Sequence, residues 1–363
     1  MTVFLIIVVI ALLGVTFWQM SKILKLSKTG HEDSTQVAND NDNKNQGYLM
    51  LGFVVFLYIF MIYSFWAWGD FYLPEAASAH GGDYDRLMFI SIGLIMTVQV
   101  ITQFLLYFFA YKYKGAKGQR ALFYADNDKL EFIWTIIPVI VLAGLIIYGL
   151  FTWSDIMNVE EDEDALVVEI YAYQFGWKAR YSGDDNTLGK ANVRFIEGTN
   201  IVGIDKSDSY AKDDKVTTEL HLPVDRPVLF KFRSQDVLHS AYFPFFRAQM
   251  NVVPGMITQF SFTPTITSEE MRNSEFMVEK VNELNQIRKE RSKELVANGD
   301  VALDPYEFEY YLLCNKICGI SHFNMQMKIV VEEEEDFNSW IAEQESFGET
   351  LKKEEEQKVS SNN

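Results

Sequence analysis

Four long runs without a single charged residue, 3–20, 48–68, 87–111 and 132–153, constrain this chain more than any other feature of it. Each approaches or exceeds the ~20 residues that a helix needs to cross the hydrocarbon core of a bilayer, where only helices and closed barrels satisfy their own backbone. The pattern predicts four spanning helices. The first run lacks a basic stretch before it and a small-residue cleavage site after it, so it reads as a helix and not as a removable signal. The 363 residues are 48% hydrophobic yet carry a formal charge of −18, which implies that apolar and charged residues are segregated.

Basic residues in the short connections set the orientation, because such loops stay on the cytoplasmic side. Lys22, Lys25, Lys28 and Lys44 follow the first run, and Lys112, Lys114, Lys117, Arg120 and Lys129 follow the third. The loop between the second and third carries Asp70, Glu75, Asp83 and Asp85 against Arg86. This alternation puts everything after Trp153 outside, in the periplasm of a bacterium whose inner membrane holds the helices. Segment 27–47, rich in Asn, Asp, Ser and Lys, is expected to be a disordered cytoplasmic linker.

From Ala165 onward, short runs rich in Val, Ile, Tyr and Phe alternate with Gly, Asp, Asn and Pro. ALVVEIYA, NVRFI, TTELHL, PVLFKF, TQFSFT, EFEYYLL and QMKIVV read as strands of a sandwich or barrel. His221, in TELHLPV, reads as a surface histidine. Thr267 and Glu270 form a capping box, and Met277, Val281, Leu284 and Ile287 recur at helical spacing, so 267–298 is expected to be an amphipathic insert. The expected organisation is helix 1 over 1–26, the linker over 27–47, helices 2 and 3 within 48–111, a basic loop over 112–131 and helix 4 over 132–153. An outer domain over 165–335 and a charged, fraying tail over 336–363 follow.

Both cysteines of the chain, Cys314 and Cys318, precede His322 and Met325 within one short stretch, and a distant imidazole, His239, stands in DVLHSAYFP. Thiolate, imidazole and thioether form a soft ligand set that selects copper over magnesium, calcium or manganese. A disulfide would suit an oxidising compartment but explains neither His322 nor Met325. A Cys₂His₂ zinc site has no use for a thioether, and a lone Met is by default core packing.

The run C-N-K-I-C-G-I-S-H-F-N-M resembles the C-x-E-x-C-G-x-x-H-x-x-M box of cytochrome c oxidase subunit II, and D-V-L-H-S followed by V-P-G resembles the stretch with that family's first copper histidine. The resemblance implies a cupredoxin-like Greek-key barrel and a dinuclear copper centre held by His239, Cys314, Cys318, His322, Met325 and the carbonyl of Lys316. It also implies two partners, a c-type cytochrome that donates electrons and a haem-bearing subunit I that receives them. The family has glutamate where Lys316 stands, and that side chain reaches an interface magnesium, so magnesium is doubtful here. Glu131, at the start of L-E-F-I-W-T-I-I-P, matches a glutamate at the mouth of a proton-uptake path, although a carboxylate also suits a helix N-terminus. In Y-Q-F-G-W-K-A-R-Y, Phe175 and Trp177 fall where the family's electrons enter, with Phe175 in place of the usual tryptophan. Asp236, beside His239, is a candidate contact for the donor.

Other functions fit less well. A quinol oxidase subunit would lack the copper ligands, and a membrane-anchored copper carrier or assembly factor would want an exposed, exchangeable site without the aromatic run or Glu131. No C-x-x-C-H is present for a covalent haem.

Overall fold

The apolar runs fold as the helices α1 (Thr2–Lys28), α2 (Asp40–Trp68), α3 (Gly81–Lys112) and α4 (Asp128–Met157). The computed structural model describes residues 2–28, 40–69, 73–120, 122–158 and 164–361. Of these helices α2, α3 and α4 are long and apolar enough to cross a membrane, while the apolar part of α1 is the shorter stretch Val8–Ser21. All are longer than the uncharged runs. The expected linker is shorter accordingly: 40–47 form the first turns of α2, where Asp40 and Asp42 suit the positive end of the helix, and 29–39 lie outside the described residues. Pro138 falls ten residues into α4, well past its first turn, and removes one backbone hydrogen bond there.

The chain divides into two units, 1–70 with 93–134 and 71–92 with 135–363. In the first, α2 and α3 run antiparallel. Tyr48 meets Tyr111 at 5.2 Å between ring centres and Phe53 meets Tyr107 at 5.5 Å. Further along, the Tyr58 hydroxyl donates to the Val100 carbonyl at 2.5 Å.

The second unit carries ten strands among the described residues: β1 (Leu166–Tyr173), β2 (Gly176–Tyr181), β3 (Lys215–Thr217), β4 (Leu220–Pro223), β5 (Val228–Ser234), β6 (His239–Phe243), β7 (Ala248–Val252), β8 (Thr258–Phe262), β9 (Tyr310–Cys314) and β10 (Gln326–Glu332). They form two five-stranded sheets, ordered β3-β2-β1-β5-β8 and β4-β10-β9-β6-β7. Pairs β1/β5 and β4/β10 are parallel and the others antiparallel. Val228, Phe230 and Phe232 of β5 alternate into the core as expected, each fully buried. The segment before α3 lies against this domain: Ala77 N–H donates to Phe245 O, Thr265 N–H to Ala77 O, and Arg247 forks onto Asp85 at 2.8 and 3.0 Å. The segment just before α3 and the first turn of that helix are therefore in direct contact with the β domain.

Several local expectations are corrected. NVRFI is a 3₁₀ turn, Val193–Phe195, and not a strand, because the Asn192 side chain caps the Arg194 N–H and its backbone is held by Gly203. The insert is two helices, α5 (Ser268–Asn273), with the capping box, and α6 (Glu275–Ala297), separated at Ser274, whose hydroxyl caps α6. Met277 is buried on α6, but Ile287 is exposed. His221 is buried and not at the surface: it accepts Trp340 as a flat stack at 3.8 Å and meets Glu332 at 2.8 Å. Trp340 belongs to α7 (Glu334–Glu343), which with α8 (Phe347–Ser361) replaces the expected fraying tail. Phe337 and Phe347 are the reason, since both are buried against the sheets.

One charged cluster is sealed inside. Glu169, Arg180, Arg233 and Asp214 are all buried. Burial pushes Asp214 up to about 7 despite the neighbouring Arg180 guanidinium. Its folded pKa lies above the ~3.9 of an unfolded aspartate, so the stabilisation from its bound proton is full below about pH 4 and is lost as pH rises through about 7. Asp214→Asn cannot ionise and is expected to lose this slope. Melting temperatures of the two proteins from pH 4 to 8 check it, and parallel curves would refute it.

Candidate metal centre

β6 opens with His239, and β9 ends with Cys314, and the two strands pair with Ala241 opposite Cys314. This brings residues 75 positions apart together on neighbouring inner strands, with His239 Nδ1 3.9 Å from Cys314 Sγ. The loop beyond β9 is closed at its base, where Cys314 N–H donates to Met325 O at 3.1 Å. Inside it the chain folds back on itself: Cys318 Sγ lies 3.9 Å from Cys314 Sγ, 3.6 Å from His322 Nδ1 and 3.7 Å from Met325 Sδ. Cys314 Sγ donates to the Lys316 carbonyl at 3.3 Å. All six expected ligands thus converge. The ligand atoms of His239, Cys314 and Cys318 all lie within 4.8 Å of one another.

Supporting residues fix this loop. Gln174 Nε2 donates to Cys318 O at 2.5 Å, and the Trp177 indole N–H donates to Met325 O at 3.4 Å. Gly319 has φ +142°, and a Cβ there would sit 2.7 Å from the Phe175 ring, so glycine is required twice over. Phe175 therefore covers the loop from outside, half-buried, whereas Trp177 is buried with its ring 6.1 Å from that of His239.

Asp236 is exposed beside His239, as its sequence suggests, and its carboxylate is also engaged from within. Its Oδ1 accepts from His239 Nε2 at 2.8 Å and from Val237 N–H at 2.7 Å, and its Oδ2 accepts from Gln174 N–H at 2.8 Å. Burial pushes this carboxyl up, but the His239, Val237 and Gln174 hydrogen bonds outweigh it and hold the pKa below the usual carboxylate range. The carboxylate thereby fixes the imidazole with Nδ1 toward the cysteines, the usual outer-sphere support of a metal histidine. Sequence pattern offered one signal for this, the three-residue spacing from Asp236 to His239. Asp236→Asn is expected to weaken copper retention by ~10–100-fold, measured by competition with a chelator. A variant that binds copper normally and only raises KM for the donor would leave Asp236 with the docking role alone.

The donor set fits copper. Cys318, Met325 and His239 are buried, so a bound cation would be desolvated among soft ligands. Burial, with the adjoining Cys314 sulfur, pushes the Cys318 thiol up to about 11, so loading a cation must release its proton. Around this interior the rim is apolar: Ile317 and Ile320 are each 90% exposed and Phe323 87%. Glu131 stands in the first turn of α4, where its N–H donates to Asn127 O at 2.9 Å.

Residues 66–151, spanning the end of α2 through α4, match the family described as Cytochrome C oxidase subunit II, transmembrane domain. The chain is 29% identical over 292 residues to the alternative cytochrome c oxidase subunit 2 of Bradyrhizobium diazoefficiens, covering 80% of this chain and 88% of that one. It is 21% identical to cytochrome c oxidase subunit 2 of Cereibacter sphaeroides, over 68% of this chain and 71% of the relative. Quinol oxidase subunit 2 of Bacillus subtilis matches at 25% over 52% of this chain and 53% of its own. Among solved structures, the periplasmic domain of subunit II of the Bradyrhizobium japonicum cytochrome oxidase is similar at 17% identity and a TM-score of 0.29, covering 50% of this chain and 95% of that one. The likeness therefore includes residues 66–151, with α3 and most of α4, and reaches over four fifths of the chain.

Proposed function

We propose that this chain is the copper-bearing subunit II of a haem-copper cytochrome c oxidase, taking electrons from a c-type cytochrome and passing them to the haem of subunit I, where oxygen is reduced. The observation that carries this reading is the convergence of His239, His322, Met325 and the Lys316 carbonyl on the adjoining sulfurs of Cys314 and Cys318. Overall similarity alone does not separate cytochrome c from quinol oxidases, since both kinds match; the complete ligand set supports the cytochrome c reading.

A pair of copper ions bound there would supply one-electron storage and transfer with little change of geometry. The chain's own residues hold and shield the place. Asp236 orients His239, Gln174 and Trp177 anchor the loop carbonyls, and Phe175 over Gly319 gives the site its covering aromatic surface toward the donor. Because Asp236 is occupied internally, the donor contact is proposed to rest on the apolar rim of Ile317, Ile320 and Phe323 as well as on charge.

In the same reading α1 also spans the membrane, the two sheets close as a Greek-key cupredoxin barrel on the periplasmic side, and Glu131 stands at the mouth of a proton path. Lys316, whose ammonium cannot bind a cation, stands in for the interface magnesium and faces acidic groups of subunit I. Purification of the tagged chain from its own membranes tests the proposal. A haem-bearing partner, two coppers assignable to this chain and no stoichiometric magnesium are expected. Zinc in place of copper, or a chain that purifies alone, would overturn it.

A further inference from the structure

Between α3 and α4 the chain carries a feature that electron transfer does not use. Leu122, Phe123 and Tyr124 are 87%, 90% and 70% exposed, three large side chains in succession on a connecting loop. Contiguous exposed apolar surface of this kind marks a place where something is covered. Residues 112–129 also hold Lys112, Lys114, Lys117, Arg120 and Lys129 against only Asp126 and Asp128, in a chain whose net charge is −18.

The loop is fastened where it begins. Asn43 of α2 donates to Gly115 O at 3.2 Å, and Asp40 accepts from Lys117 N–H at 2.8 Å. At the end of α3 the ammonium groups of Lys112 and Lys114 lie over the rings of Tyr113 and Tyr111, at 5.3 and 4.4 Å. That pairing of aromatic body and cationic head is typical of the membrane–water boundary. At the other end, Leu122 is six residues from Asp128, where α4 begins, and six residues reach at most ~20 Å. With both flanking helices spanning a bilayer, the triplet cannot move far from the headgroup layer.

We propose that 112–129 is a lipid-binding loop, in which Leu122, Phe123 and Tyr124 enter the headgroup region and the surrounding Lys and Arg residues hold anionic phospholipids. Apolar insertion and electrostatic attraction reinforce each other at such a surface, and the charge part weakens with salt. The inference rests on reading α3 and α4 as spans and is independent of the metal centre.

A photoreactive benzoyl-phenylalanine in place of Phe123, in the full chain within its assembled complex, tests it after reconstitution into bilayer discs of zwitterionic lipid alone or with a third anionic phospholipid. Mass spectrometry of the irradiated chain should find phospholipid adducts, enriched at least twofold in the anionic lipid over its share of the bilayer. Replacing Lys114, Lys117 and Arg120 together by Gln, or adding ~1 M salt, where screening reaches ~3 Å, should abolish the enrichment. A cross-link to another polypeptide would make the loop a subunit contact and overturn the proposal. So would adducts that mirror the lipid mixture, or none. Copper and haem content of the same preparation report on the oxidase reading separately.

Discussion

Cys318→Ser is expected to empty the metal centre while leaving the β domain folded. The Cys318 sulfur is the hub of the site, 3.6–3.9 Å from the sulfur of Cys314, the Nδ1 of His322 and the sulfur of Met325. A hydroxyl is a harder and far less acidic donor, unsuited to the soft metal that the remaining ligands select. The loss should exceed the ~10–100-fold cost of removing an outer support, so chelator treatment that spares the unmutated chain should strip the variant. The residue lies in a loop between β9 and β10 and contributes no strand pairing, so the melting temperature of the metal-free chain should hardly move. Retention of the near-infrared and violet absorption of a mixed-valence copper pair would show that the ligand assignment is wrong.

The largest effect on stability is expected from Arg180→Met. Arg180 is 2% exposed; its Nε lies 3.2 Å from Glu169 and 3.7 Å from Asp214, and its NH2 donates to the Gly189 carbonyl at 2.7 Å. Methionine fills part of the volume but leaves Asp214 and the Gly189 carbonyl without their partner. Glu169 keeps its fork to Arg233, at 2.7 and 3.0 Å. Breaking a buried pair from one side costs ~3–5 kcal/mol, and a domain of this size loses ~2–4 °C of Tm per kcal/mol. A fall of roughly 10 °C at pH 8 is therefore the expected result, and it should shrink toward pH 5 as Asp214, raised to about 7, takes up its proton. Thermal unfolding of the purified chain at both pH values is the measurement. A change under ~1 kcal/mol, the level of an exposed pair, would mean that water already reaches the cluster.

How much of this could be read from sequence depended on whether a residue's role is local. Uncharged runs long enough to span a bilayer, the alternation of basic and acidic loops, the capping box at Thr267 and the inward face of β5 follow from periodicity and charge along a few consecutive residues. The six candidate ligands that converge were also legible, because four of the side chains sit within twelve residues and the fifth lies in a recognisable stretch. Roles that depend on what packs from elsewhere were not. His221 looked like a surface residue until α7 laid Trp340 flat against it, and the acidic tail looked unstructured because charge outweighs its few apolar anchors, Phe337 and Phe347. Asp236 is the exposed acid near the site that the sequence suggested, but its second role, as the partner of the buried His239 imidazole, came only from the fold. Arg180, Glu169 and Asp214 gave no signal at all in the sequence. Their energies come from a shared low-dielectric interior, and the paired strands β1 and β2 have to meet the distant segment just before β3 before that interior exists.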